Sequence, residues 1–303
     1  MENKKMIYHM MALVTICIWG TTFVSTKILL NTFSPLEIMF YRFIITYITL
    51  IVIHPKMYAF SLKEESGFAL LGIFGGSMYF LTENIAINLT LASHVGFILA
   101  AAPIFTALVA HFLTKDEKII KTTWIGCIVA MAGVFLVIFN GSFILKFSGL
   151  GEVLATVSAL SWAVYTVLLK KLDPKYPPIY TIRKVFFYAI ITIVPILIGS
   201  KYKFEITKFM DLGIVFHLLF LGLAASALGF ILWHIAVKNL GAVKTNNYIY
   251  LNPVITLIGS AWVLKEKITI YAGIGSALIL LGVYLTQKKP NQSLALSGIE
   301  EKL

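Results

Sequence analysis

Charge is scarce in this 303-residue chain: Asp, Glu, Lys and Arg make up 13% of it, against roughly 25% in a soluble domain. Hydrophobic residues make up 59%, and the helices lack the long polar faces a soluble fold needs, so that much apolar surface cannot be hidden from water. Cysteine is scarcer still. Cys17 and Cys127 are the only two; both fall in apolar runs and are expected as buried thiols, which excludes a disulfide framework and a cysteine metal site. No glycine cluster sits between a strand and a helix, so "GIFGG" (72–76), "GLAASALG" (222–229) and "GIG" (273–275) are read as packing residues and not as a phosphate cradle. No ATP-hydrolysing domain is read, and no cofactor or metal is implied. Net charge is +11, but the basic residues are scattered and form no stripe, which argues against nucleic acid as a partner. No large soluble segment interrupts the apolar runs, which weighs against a receptor or assembly factor.

What is abundant is apolar sequence in windows of about 20 residues, the length that crosses a hydrocarbon core as helix. Ten such windows are read, near 8–29, 35–53, 66–88, 92–113, 122–140, 150–169, 179–198, 212–237, 245–264 and 270–286. Lys4 and Lys5 ahead of the first run imitate a signal peptide, but no small-residue cleavage site follows, and the run is taken as an uncleaved span. The polar tail 288–303, with Pro290, is expected to be disordered. With the N-terminus inside, 15 lysines fall on cytoplasmic segments and 7 on external ones, so the positive-inside rule places both termini in the cytoplasm of a multi-pass cell-membrane protein.

An internal repeat organises these spans. A shift of 143 lays "ALVTICIWGTTFVSTK" (12–27) on "ATVSALSWAVYTVLLK" (155–170), matching Ala12 with Ala155, Trp19 with Trp162 and Lys27 with Lys170. A shift of 150 pairs Ala86 with Ala236, Ala92 with Ala242 and Pro103 with Pro253; a shift of 149 pairs Glu117 with Glu266, Gly126 with Gly275 and Gly133 with Gly282. Two halves follow, 1–140 and 141–287, each of five spans. Since five is odd, the second half enters the membrane in the opposite direction, as in secondary transporters. The fold class is therefore an all-α polytopic membrane protein of ten transmembrane helices in two inverted five-helix repeats.

The residues that carry the repeat are also similar to a known family. "WGTTFVSTKILL" (19–30), "FYRF" (40–43), "LASHVGFILAAAPIFTALVAHFLTKDEK" (91–118), "IGCIVAMAGVFLVI" (125–138) and "LGAVKTNNYIYLNPVITLIGSAWVLKEKITIYAGIGSALILLGVYL" (240–285) resemble the EamA-type branch of the drug/metabolite transporter superfamily. The resemblance implies ten helices in two inverted repeats and a cavity between the halves, lined by the first, third, fourth, sixth, eighth and ninth spans. It also implies export of small metabolites such as amino acids, with a drug or nucleoside as the alternative cargo.

Candidate residues follow from polarity that lipid would not tolerate. Thr15, Trp19, Thr22 and Thr26 recur at helical spacing, and the second half echoes them as Ser158, Trp162 and Tyr165; both stripes are expected to face a cavity, the tryptophans offering a flat surface and a donor. Arg42 lies about 10 Å into the second span at 1.5 Å per residue, where a charge needs a partner or water. Glu83 lies at a similar depth in the third span, so an Arg42–Glu83 pair is expected as an external gate or a substrate-carboxylate site. Glu83 and His94 are the candidates for proton coupling. Asn246, Asn247 and Tyr250 in "KTNNYIYLNP" either read a polar substrate or cap the helix start, and Tyr79 and Trp233 complete the set. Pro103 and Pro253 are expected to kink matched spans. Lys27 and Lys170 are expected to snorkel, and "TKDEK" (114–118) and "KEK" (265–267) to be solvated helix ends. An intramembrane enzyme on lipid-linked substrates would need paired acids, a nucleophile with a base, or metal ligands, and the short loops offer none. The partners expected are a small-molecule substrate and the lipid bilayer, with proton coupling and a homodimer left open.

Overall fold

A computed structural model describes residues 2–58, 61–90, 92–117, 121–139, 149–172, 176–200, 202, 204–263 and 269–287. Among these residues the secondary structure is entirely helical. The helices are α1 (Glu2–Leu29), α2 (Pro35–Ile53), α3 (Leu62–Leu89), α4 in two pieces (Ala92–Leu99 and Ala102–Leu113), α5 (Lys121–Phe139), α6 (Leu150–Lys171), α7 (Pro178–Gly199), α8 (Leu212–Leu240), α9 in three pieces (Ala242–Asn246, Asn247–Leu251 and Asn252–Val263) and α10 (Ile270–Gln287). Among the described residues, 8 stretches are long and apolar enough to cross a membrane. The tail 288–303 and Lys118, Lys146, Lys175, Lys201, Lys203, Lys265 and Lys267 of the charge count lie outside the described residues, as does the side chain of Lys27.

Local sequence explains where helices start and where they break. Ser34 and Glu37 form a reciprocal capping box at α2 (Glu37 N to Ser34 Oγ 3.3 Å, Ser34 N to Glu37 Oε2 2.7 Å) with Pro35 at the first helical position. Asp211 caps α8 through the amide of Gly213 at 2.7 Å. Helix α4 breaks at Ala100 and Ala101, just before Pro103, and α9 narrows to a 3-10 turn over Asn247–Leu251, just before Pro253. Each proline lacks an N–H and its ring crowds the carbonyl four residues back, so neither helix can run straight through. Helices α3 and α8 instead widen into π-helical turns, Ile73–Ser77 and Phe220–Leu228. The shift of 150 carries 73–77 to 223–227, inside the second π turn, so the irregularities recur at matched positions.

Hydrogen bonds define two ends of the bundle. At the end holding the start of α1 and the end of α10, here the terminal end, His9 Nδ1 meets the Tyr248 hydroxyl at 2.7 Å and Gln287 Nε2 donates to the Lys244 carbonyl at 2.9 Å. At the opposite, distal end, the Tyr41 and Tyr202 hydroxyls bond at 2.7 Å and the Thr90 hydroxyl donates to Glu152 Oε1 at 2.5 Å. Helices α5 and α10 approach through small residues: a Cβ on Gly133 would lie 2.5 Å from the Gly275 carbonyl, and one on Gly282 2.5 Å from the Ala130 amide. Cys127 is buried as expected, whereas Cys17 is exposed on the outer surface of α1. An apolar run in a membrane helix has apolar neighbours on every side, lipid included, so its sequence does not say which face turns inward.

Candidate functional site

A cavity of about 560 Å³ lies between the helices, walled by Trp19, Thr22 and Thr26 of α1, Arg42 of α2, Tyr79, Glu83 and Asn84 of α3, Trp162 of α6, Phe230 of α8, and Asn252 and Thr256 of α9, among others. This volume is in the range of small-molecule sites. Every wall residue lies at mid-helix or toward the distal end of its helix, so the cavity belongs to the distal half of the bundle.

Its floor is aromatic. Trp19 and Trp162, the repeat-matched pair, meet edge to face with centroids 5.2 Å apart, and Phe230 packs at 5.6 and 5.9 Å from them. The expectation that these indoles donate to a substrate needs correction. Trp19 Nε1 donates to the Ala225 carbonyl in the π turn of α8 at 2.9 Å, and Trp162 Nε1 donates to Asn246 Oδ1 at 2.9 Å. A π turn leaves carbonyls without regular helical partners, and Trp19 and Thr46 (to Gly222, 2.9 Å) fill that need from α1 and α2. The tryptophans thus present ring surface, with their donors already used.

Its wall carries two opposite charges. Arg42, 9% exposed, donates through Nε to the Ser226 hydroxyl of the same π turn and lays its guanidinium 4.6 Å over the Phe80 ring. Glu83 lies close enough for its charge to act on Arg42, and the Tyr79 hydroxyl, one helical turn back, faces its carboxylate. The expected direct Arg42–Glu83 ion pair is not formed within 4 Å; the guanidinium instead binds the Ser226 hydroxyl and lies over the Phe80 ring. Both side chains line the same cavity.

Other sequence-predicted residues are placed away from the wall. Tyr165 and Trp233 are fully buried behind the floor, Trp233 at 5.0 Å from Trp19 and Tyr165 at 5.2 Å from Trp162. Asn246 sits beneath Trp162 and also donates to Thr106 Oγ1 of α4 at 2.5 Å, with Asn247 and Tyr250 buried alongside. The 3-10 turn removes the four-residue face that Asn246 and Tyr250 would share in an α-helix. His94, buried at the distal start of α4, turns toward Glu152 of α6 at 3.7 Å and is not on the wall. Ser226, Asn84, Asn252 and Thr256 were not singled out by sequence reasoning. Asn84 and Asn252 could have been, since an amide in an apolar span needs protein or water; a serine in an apolar run gives no such signal.

Below the floor the terminal end is closed by bonds that join the two halves of the chain. Glu117, expected as part of a solvated helix end, has a side chain only 13% exposed; its carboxylate accepts from the amides of Ala242 at 2.8 Å and Val243 at 3.3 Å, and lies 3.1 Å from Lys170 Nζ. Lys170 also binds Asp116, so it pairs with acids where snorkelling was expected. Gly241 carries φ +96° at this turn, a conformation glycine adopts freely, and any side chain there would meet Glu117.

Two stretches of the chain, 6–139 and 149–287, each match the EamA-like transporter family. A protein of Archaeoglobus fulgidus described as an "Uncharacterized transporter" is 28% identical over 296 residues, covering 94% of this chain and 98% of its own. A "Probable amino-acid metabolite efflux pump" of Escherichia coli (strain K12) is 27% identical over 287 residues, covering 91% and 93%. A solved crystal structure superposes with a TM-score of 0.77 over 92% of this chain and 97% of that one, at 17% identity, which shows a shared fold.

Proposed function

The chain belongs to the EamA-like transporter family, as a multi-pass membrane transporter and not an enzyme, and we propose that it is a secondary transporter exporting a small metabolite, an amino acid or related compound, by alternating access. On this reading ten spans form two inverted repeats, 1–140 and 141–287, with both termini in the cytoplasm. The cavity then faces outward while the terminal end is shut, and substrate reaches the site from the cytoplasm in the opposite state.

The observation that carries the reading is the pair of opposite charges on one wall above an aromatic floor. Arg42, with Nε fixed by Ser226, turns its remaining donors toward a substrate carboxylate, for which a guanidinium fork is well shaped. Glu83 accepts from a substrate ammonium, and Trp19, Trp162 and Phe230 receive the apolar side chain. Glu83 is also the wall group available to carry a proton, whereas His94 lies off the wall beside Glu152. The flat floor gives some weight to a ring-bearing cargo, a nucleoside or a drug, on the same site.

Reconstitution into liposomes with a labelled panel of amino acids, nucleosides and cationic drugs, with and without a pH gradient, tests this. Saturable flux of a zwitterion, lost in Arg42→Gln and in Glu83→Gln, is the expected result. Absence of flux for every member of the panel would sink the transport reading.

A further inference from the structure

The two halves brace α3 and α8 at their π turns with matched contacts. Thr15 donates to the Gly229 carbonyl at 3.4 Å and its counterpart Ser158 to the Tyr79 carbonyl at 2.9 Å, residues related by the shifts of 143 and 150. Ile45 packs on Gly222 as Tyr188 packs on Gly72, under the same shifts. The tryptophans break the pattern. Trp19 donates to the Ala225 carbonyl of α8, which matches Trp162 with the carbonyl of Gly75 in α3. There the second half carries Tyr165 where the first has Thr22, the Tyr165 ring covers Gly75, and Trp162 donates to the Asn246 side chain. The residue that matches Asn246 in the first half is Gly96, which offers no side chain to bond.

The bonds around Asn246 run in one direction. Thr106 commits its hydroxyl proton to the Ala102 carbonyl at 2.9 Å, so its oxygen accepts from Asn246 Nδ2 at 2.5 Å, and Asn246 Oδ1 is left for the indole N–H at 2.9 Å. Turning the amide over would set Nδ2 against the indole N–H and Oδ1 against an oxygen with no proton to give, so the amide has one orientation. Thr106 and Asn246 are fully buried, while Trp162 lines the cavity beside Phe230 and Tyr79 at 5.9 and 5.3 Å. With its N–H held below the floor, Trp162 offers the cavity carbon surface. Without Asn246 that N–H finds a partner in cavity water, and turning toward it puts a polar edge in the floor. We propose that Asn246, held by Thr106, is a positioning residue that keeps the Trp162 N–H out of the cavity and thereby gives the site its preference for zwitterions with a large apolar side chain over small ones. This rests on the amino-acid reading of the cavity.

The test uses the full chain in liposomes and reads the apparent KM for labelled phenylalanine and labelled alanine. In Asn246→Leu the preference for phenylalanine over alanine should fall by about three- to tenfold, the span of one aromatic contact. A purely structural role would lower the maximal flux of both amino acids alike and leave their KM ratio unmoved. Trp162→Phe keeps a ring and has no N–H to place, so in that background Asn246→Leu should change the ratio by less than about twofold. A ratio that moves by less than about twofold in Asn246→Leu alone, or by the same factor in both backgrounds, overturns the proposal and leaves the amino-acid reading standing. If Asn246→Leu does not assemble, Thr106→Val carries the test: it removes the oxygen that orients the amide, and should lower the preference by about threefold with the same dependence on Trp162. An unchanged ratio in Thr106→Val, or a change that persists in Trp162→Phe, overturns the proposal equally. Absence of saturable flux for both amino acids in the unmodified chain overturns the amino-acid reading instead.

Discussion

Ser226 has no charge and cannot reach across the cavity, yet its removal is expected to weaken substrate binding. It accepts the Nε–H of Arg42, which is 9% exposed, and thereby directs the rest of the guanidinium toward the space beside Glu83. A hydrogen bond to a charged group contributes about 1.5–3 kcal/mol when its loss leaves the partner unpaired. Cavity water can reach the freed N–H and offset part of this, which places Ser226→Ala at about 1–2 kcal/mol, or about 5- to 30-fold in the apparent affinity for a carboxylate substrate. The maximal flux should change less, because the serine acts through Arg42 and takes no part in the opening motion. Lysine offers a point charge without the fork, so Arg42→Lys removes the bond that Ser226 accepts. Flux measured against substrate concentration in liposomes for both single variants and the double variant gives the coupling. Additive effects within about 0.5 kcal/mol would refute the reasoning, since the two side chains would then act independently.

Asn246→Leu strands the Trp162 indole N–H in a buried layer and removes the donor to Thr106 Oγ1, which keeps its own bond to the Ala102 carbonyl, and should lower stability by about 1–3 kcal/mol, read as a lower Tm by intrinsic tryptophan fluorescence in detergent. Gly133→Ala forces α5 and α10 apart where a Cβ would sit 2.5 Å from the Gly275 carbonyl, and should cost about 1–3 kcal/mol in the same assay; an unchanged Tm would contradict the packing. Gly241→Ala should cost about 1–2 kcal/mol for the backbone alone and more through displacement of Glu117. Asp116, outside the spans, has its pKa held below the usual carboxylate range mainly by the hydrogen bond from Lys170. A lowered native pKa contributes stability above the ordinary carboxylate range that is lost as pH falls through the lowered value, so Asp116→Asn should flatten the acid side of a Tm-against-pH curve. The carboxylate is 69% exposed, so the effect should stay under about 1 kcal/mol.

The parts of the site that could be read in the sequence share one property: lipid would penalise them. Arg42, Glu83 and the Trp19 stripe stand out because a charge or an amphipathic ring deep in an apolar span has no inexpensive place except protein or water. The repeat could be read for a different reason, since matched prolines and small residues meet the same packing demand twice. The π turns could not, because widening a helix by one residue leaves no compositional mark. Ser226 therefore looks like any serine bonding back along its own helix, and only the fold brings it to Arg42, 184 residues away. Glu117 and Lys170 depart from the sequence expectation for the opposite reason: at a helix end water is always an available partner, so the sequence pattern of a solvated end and of a junction between halves is the same. Cys17 and Cys127 differ only in which face of an apolar helix they occupy, and lipid accepts either. In a membrane, then, sequence identifies the residues that need protein or water, and the register between distant helices decides which partners they meet.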